Sequence, residues 1–161
     1  GEILDQAKDP RLLIMLDEVQ DPRNLGAIIR TADAVNADGV IIPEKRSASL
    51  TAAAHKASVG SAENVPIAQV KNLVRTIKHL KDVGYWVIGT NQEAATMYTQ
   101  VDFFSSICLV FGGEQKGMRG LVRKNCDLIV SIPMLGEVSS LNVSVAAGVL
   151  MYEVIRQGSG N

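Results

Sequence analysis

The chain is poor in the side chains that most metal and nucleophile chemistry requires. Its 161 residues include only two histidines and two cysteines. Cys108 and Cys126 lie in or beside apolar runs, without metal-ligand spacing or a companion histidine. A zinc finger, an H-E-x-x-H helix and a Ser–His–Asp arrangement are therefore excluded, and no metal is expected. Both thiols read as small core residues of a reduced, intracellular protein. His55, in an Ala-rich segment, and His79, on a charged helix face, read as packing or surface residues. Aromatic residues make up 4% of the chain while 47% is apolar, so the interior should be aliphatic. No apolar run is long enough to span a bilayer and no secretory leader is recognisable, so a soluble, cytoplasmic chain with no membrane partner is expected. A net charge of −1 excludes a global basic field, and any nucleic-acid surface must be local. The chain begins Gly1-Glu2-Ile3 without an initiator Met, which suggests a processed chain or a piece lacking an upstream domain.

What is present is a regular alternation of strand and helix. Apolar runs at Leu12–Leu16, Val40–Ile42, Ile67–Val70, Tyr85–Ile88, Ile107–Phe111 and Leu128–Ile132 predict strands. Leu25, Ile28, Ile29 and Ala32 follow a helical period, which leaves Arg30 on another face with Ala27 and Ala34. Further helices are predicted over Ser47–Ser58, Asn72–Val83 with Gly84 ending it, Gly117–Lys124, and about Asn142–Gln157. The alternation predicts a single α/β domain over residues 1–161, with a mostly parallel sheet covered by helices on both faces. The last helix is apolar around most of its circumference, so a second subunit or the monomer core must cover it.

Three strand-to-helix junctions carry polar groups. Asp21-Pro22-Arg23-Asn24-Leu25-Gly26 follows the first strand, Gly112-Gly113-Glu114-Gln115-Lys116-Gly117 the fifth, and Pro133-Met134-Leu135-Gly136 through Ser140-Leu141-Asn142-Val143-Ser144 the sixth. In open parallel sheets ligands bind at the carboxyl ends of strands, so this is a site pattern. Asn142 suits a helix N-cap, a ligand contact, or both. The glycine loop is not a P-loop, because Lys116 precedes Gly117-Met118 rather than Ser or Thr. The first junction also lacks the G-x-G-x-x-G of a dinucleotide site. Basic residues gather at Arg23 and Arg30, at Lys45-Arg46, and at Lys116, Arg119, Arg123 and Lys124. They form either a solvated face or a local phosphate-holding patch.

Taken together, Asn24-x-Gly26-x-x-x-Arg30, Gly112-x-Glu114-x-x-Gly117 and Ile132-Pro133-Met134 through Ser140-Leu141-Asn142-Val143-Ser144 resemble the three ordered motifs of the SpoU (TrmH-like) RNA ribose 2′-O-methyltransferases of the SPOUT superfamily. The likeness runs from about Leu12 to Gln157. It is greatest to bacterial members that methylate a guanosine ribose of 23S ribosomal RNA, and a transfer RNA target or a catalytically weak RNA-binding module are the alternatives. Members usually carry a small N-terminal RNA-binding domain, and the resemblance leads to the expectation that the sequence lacks it and spans the catalytic domain alone. The resemblance implies an α/β fold with a C-terminal trefoil knot, S-adenosylmethionine as cofactor, RNA rather than DNA as partner, and a homodimer through the C-terminal helix. It implies cofactor contacts from Gly112, Ile132 and Leu141, with Thr90, Gly113, Met134 and Asn142 beside them.

The methyl of such a cofactor is already activated, so the protein's part is to align a ribose hydroxyl and help it lose a proton. The resemblance assigns hydroxyl activation to Arg30. A guanidinium is a poor proton acceptor, and stabilising the developing alkoxide while orienting a phosphate is the role that suits it. Anchoring a phosphate or forming an ion pair is the simpler alternative. Glu114 is expected in an ion pair with Arg30 or, failing that, as proton acceptor. Asn24, Ser140 and Asn142 are expected to hydrogen-bond the ribose, Arg30 or the cofactor carboxylate, unless they only cap helices or close loops.

Overall fold

Asp17, wholly buried, ends a strand whose other five residues are all apolar, and around that strand the sheet is built. The computed structural model describes residues 11–45, 64–114 and 117–159. Strands β1 (Leu12–Asp17), β2 (Gly39–Pro43), β3 (Ile67–Val70), β4 (Trp86–Thr90), β5 (Ile107–Gly112) and β6 (Leu128–Val130) form one sheet in the order β3-β2-β1-β5-β4-β6. Every pairing in it is parallel, and β1 runs beside β5 from Leu12↔Ile107 to Asp17↔Gly112.

Helices α1 (Pro22–Ala34), α2 (Leu73–Asp82), α3 (Gly120–Asn125) and α4 (Val143–Ser159) cover both faces. Alternate residues of β1 point to opposite sides. Leu12, Ile14 and Leu16 join Leu25, Ile28 and Ile29 of α1 and Leu150 and Met151 of α4 in one core. Leu13 and Met15 join Leu73, Ile77 and Leu80 of α2 and Val122 of α3 in the other. Strands buried on both faces must be continuous apolar runs, which is why the sequence pattern located them.

Local chemistry sets the helix ends. Asp21 caps α1 by accepting from Arg23 N at 2.8 Å, with Pro22 at the first helical position. Asn72 caps α2 through Arg75 N at 3.0 Å, and Gly84 just beyond it takes a φ of +101°.

The fourth strand runs Trp86–Thr90 rather than Tyr85–Ile88, and two further boundaries differ from expectation for a visible local reason. β6 stops at Val130 rather than Ile132, because the Ser131 N–H turns from the sheet to Thr96 O at 2.9 Å. The basic helix starts at Gly120 rather than Gly117, whose φ of +67° lies outside helical space and lets it bridge back to Gly113. The helix expected over Ser47–Ser58, with Arg46, His55, Gln115 and Lys116, lies outside the described residues.

The segment between β4 and β5 is held at two places by the C-terminal part of the chain. Ser131 bridges to Met97 and accepts from Tyr98 N at 2.9 Å. Near the end of α4, Gln157 accepts from Phe103 N at 2.7 Å and donates to Val101 O at 2.9 Å. Beside it Glu153, nearly buried, is held by Arg156 at 2.8 Å.

Candidate functional site

Where β4, β5 and β6 end, the chain leaves a hollow of about 530 Å³, closed by the first turn of α4. Phe111, Val130, Ile132, Leu141 and Val143 give it apolar walls, while Thr90, Asn91, Glu93, Ser140 and Arg123 supply polar groups. Gly112, Gly113, Glu114, Met118, Met134 and Asn142 are also among the lining residues. The six residues Thr90, Gly112, Gly113, Ile132, Met134 and Leu141, scattered over the last half of the sequence, thus meet at one place.

The glycines are required by the loop's own folding. A Cβ on Gly112 would lie 2.1 Å from the carbonyl carbon of Gly117 and from Met118 N, and one on Gly113 would lie 2.5 Å from Glu18 O. Those are backbone atoms, which cannot step aside. The loop is pinned by Asp17, which accepts from Arg119 N at 2.7 Å and Arg119 Nε at 2.8 Å. This ion pair, buried on the Asp17 side and half-exposed on the Arg119 side, was not singled out from the sequence. Its signal was a lone carboxylate closing an apolar strand. It commits the Nε edge of Arg119 and leaves the rest of that guanidinium facing solvent.

A chain of hydrogen bonds joins the three junctions. Glu114 accepts from Asp21 N at 3.1 Å, from Gln20 N at 3.4 Å and from Asn24 Nδ2 at 3.2 Å. Asn24 Oδ1 in turn accepts from Asn142 Nδ2 at 3.2 Å, and Asn142 Oδ1 accepts from Ser144 N at 2.8 Å and Ser144 Oγ at 2.5 Å. Asn142 is therefore both the cap of α4 and a link to α1. Partial burial alone would raise the Glu114 carboxyl, but its own N–H, that of Asp21, the Asn24 carboxamide and the Gln20 N–H together hold it below the usual carboxylate value.

The expected ion pair between Glu114 and Arg30 is not formed. Glu114 spends its oxygens on the turn that opens α1, and a carboxylate so held is a weak proton acceptor at neutral pH. Arg30 lies further along α1, exposed, outside the lining of the hollow, and with no hydrogen-bond or ion-pair partner among the described residues. Asn24, Ser140 and Asn142 make no bond to Arg30 either. Ser140 lines the hollow without a partner among the described residues, so its hydroxyl is available to a ligand. Burial pushes the Cys126 thiol up to about 12 and Cys108 higher still, and both are free, which leaves them inert core residues. Among the described residues no three His, Cys, Asp or Glu side chains are grouped to hold a metal, and no helix is long and apolar enough to cross a membrane.

Comparison with known proteins places this geometry. The 23S rRNA (guanosine-2′-O-)-methyltransferase RlmB of Pseudomonas syringae is 49% identical over 158 residues, 98% of this chain and 63% of its own length. The chain thus spans less than two thirds of that relative. The SpoU methyltransferase AviRb of Streptomyces viridochromogenes, solved with AdoMet, superposes with a TM-score of 0.88 at 30% identity, covering 96% of this chain and 63% of that one. A TrmH/SpoU tRNA modifying enzyme of A. aeolicus gives a TM-score of 0.85 at 31% identity, covering 99% and 80%. The SpoU rRNA Methylase family model matches residues 11–152, from the first residue before β1 into α4. With all three junctions inside that match, this chain belongs to the SpoU rRNA methylase family.

Proposed function

We propose that the chain is a methyltransferase domain that passes the methyl of S-adenosylmethionine to a ribose 2′-hydroxyl of RNA, with a guanosine of 23S ribosomal RNA as target. The observation that carries this reading is the convergence of Thr90, Gly112, Ile132, Met134, Ser140 and Leu141 on one hollow at the carboxyl ends of the strands. The relatives named for guanosine 2′-O-methylation and the neighbour solved with AdoMet support it.

The residues present fit that cofactor. Its adenosine needs apolar walls with backbone polar groups in reach, which Ile132, Leu141, Val130 and the glycine loop supply. Its charged amino-acid end needs groups such as Asn91, Glu93 and Arg123. When bound, the sulfonium supplies a methyl already activated for displacement. The chain has then to present the ribose oxygen in line, and aligned reactants gain roughly 7–11 kcal/mol over free ones. Ser140 and Asn142, at the mouth of the hollow, orient the sugar. Glu114, held ionised by N–H donors, fixes Asn24 and through it Asn142.

Arg30 stabilises the charge that develops on the ribose oxygen and holds a neighbouring phosphate. It stands outside the hollow of its own chain and without a partner among the described residues, so we assign it to the hollow of a second copy. The surface for that copy is α4, which packs on α1 and leaves Val145 and Tyr152 51% and 54% exposed. The C-terminal segment is proposed to thread the β4–β5 loop as a trefoil knot. The ties from Ser131 to Met97 and from Gln157 to Val101 and Phe103, on either side of that loop, support this threading.

The test is to incubate the protein with labelled S-adenosylmethionine and separate pools of ribosomal and transfer RNA, then map linkages that resist alkaline hydrolysis. Resistant linkages at a guanosine of 23S RNA are expected. Label confined to transfer RNA would make tRNA the substrate, and label on bases or none at all would overturn the reading.

A further inference from the structure

A second hollow, of about 590 Å³, opens at the carboxyl ends of β1, β2 and β3, on the other half of the same rim. Lys45, two residues past β2, and Lys71, the residue after β3, line it side by side, since Pro43 and Val70 are register partners. Both are exposed and neither has an ion-pair or hydrogen-bond partner among the described residues. Arg119 forms a third cationic group, its Nε committed to Asp17 at 2.8 Å and its side chain still 39% exposed. Glu18 is the acidic residue in the lining. Val74 and Leu121, the latter 67% exposed, also line the hollow and give it apolar surface.

Cations and apolar surface in one lining suit a nucleotide, whose phosphate is anionic and whose base has a flat face that stacks on apolar side chains. The position suits a polymer. The two hollows are separated by one partition, in which Gly113 abuts Glu18 and Met118, lining the first, precedes Arg119, lining the second. From β2 to β5 is two strand spacings, about 10 Å, so a chain bound at one hollow reaches the other within a few nucleotides. With a net charge of −1 the protein cannot hold RNA by its overall field, so a pair of exposed lysines beside the first hollow, with no ion-pair partner among the described residues, is where phosphates would be held.

We infer that the second hollow is an RNA subsite, in which Lys45, Lys71 and Arg119 hold backbone phosphates of nucleotides flanking the methylated one while Val74 and Leu121 take up a base. This rests on the reading of RNA as the substrate.

The test compares the full chain with Lys45→Ala/Lys71→Ala and with Lys78→Ala, an exposed lysine of α2 that lines neither hollow. Binding of a fluorescein-labelled 23S RNA fragment is followed by anisotropy from low to moderate salt, and binding of S-adenosylhomocysteine by calorimetry. The double variant is expected to bind RNA at least about tenfold more weakly and to lose about 1.4 from the salt slope, at about 0.7 for each lost single-strand phosphate contact. Its affinity for S-adenosylhomocysteine should be unchanged, and Lys78→Ala should match the wild type. Equal losses in the double variant and Lys78→Ala, or no loss in the double variant, overturn the subsite. Displacement of the RNA by millimolar inorganic phosphate or AMP also overturns it, in favour of a small-anion site. If the wild type methylates RNA while the double variant binds as it does, the subsite alone fails. If the wild type neither binds nor methylates RNA, the functional reading fails with it.

Discussion

Asn142 donates from Nδ2 to Oδ1 of Asn24 across 3.2 Å, tying the mouth of α4 to the first turn of α1. Because Asn24 also donates to Glu114, one carboxamide joins its own segment to two others, 90 and 118 residues away in sequence.

Replacing Asn24 by Ala removes both bonds, each worth about 0.5–1.5 kcal/mol net. Methyl transfer should fall about 10- to 100-fold, at roughly 1.4 kcal/mol per tenfold. Asn24→Asp, which sets a carboxylate against Glu114, should lose more. Single-turnover methylation assays on both variants check this, and wild-type rates would remove the link from the mechanism.

Arg30→Ala should abolish methyl transfer and leave cofactor affinity within a few-fold. Arg30 is exposed and unpartnered, so unfolding stability should stay within about 0.5 kcal/mol of the wild type. Mixing Arg30→Ala with a variant disabled in the hollow, such as Gly112→Val, should restore activity if Arg30 serves the partner's hollow.

Gly112→Ala puts a Cβ 2.1 Å from backbone atoms of Gly117 and Met118, whereas one on Gly136 meets nothing within 4 Å. The first substitution should destabilise by about 1–3 kcal/mol or more and cost cofactor binding, and Gly136→Ala should do neither. Denaturant unfolding and calorimetry with S-adenosylhomocysteine distinguish the two.

Asp17→Ala leaves the Arg119 backbone N–H without its acceptor while the half-exposed guanidinium can be rehydrated, so the expected cost is about 1–3 kcal/mol. Cofactor affinity should drop with stability, since the same pair pins the loop that lines the hollow. Unfolding curves read the first effect and calorimetry the second.

Glu114 has a folded-state value below its ordinary 4.5, so it contributes stability above that pH and loses it as the pH falls through the depressed value. The stability gap between the wild type and Glu114→Gln should therefore be constant near pH 7 and close below about pH 4. A gap that widens in acid would reverse the sign. Guanidinium melts at a series of pH values measure it.

The sheet was legible because its strands are buried on both faces and so stand out as unbroken apolar runs. The helices were legible from period and caps, as Asn72 and Gly84 illustrate for α2. The motif residues were legible as types in order, but not in their partnerships. An acid and a base in neighbouring motifs suggested that Glu114 and Arg30 would pair. Backbone N–H groups at the opening of α1 satisfy Glu114 instead, and N–H donors leave no trace in a sequence. Likewise Asp17 meets Arg119 from 102 residues away, a contact that only the packing of β1 beside β5 creates.

Strand β1 sends alternate side chains into both helical layers and delivers Asp17 to the rim as its final residue. No helix on either side can loosen without disturbing that carboxylate and the loop it anchors. The shape of the first hollow is thus not a detachable ornament on a rigid frame: it is tied through one strand to the packing of both layers, so damage planted in either layer is expected to reach the rim.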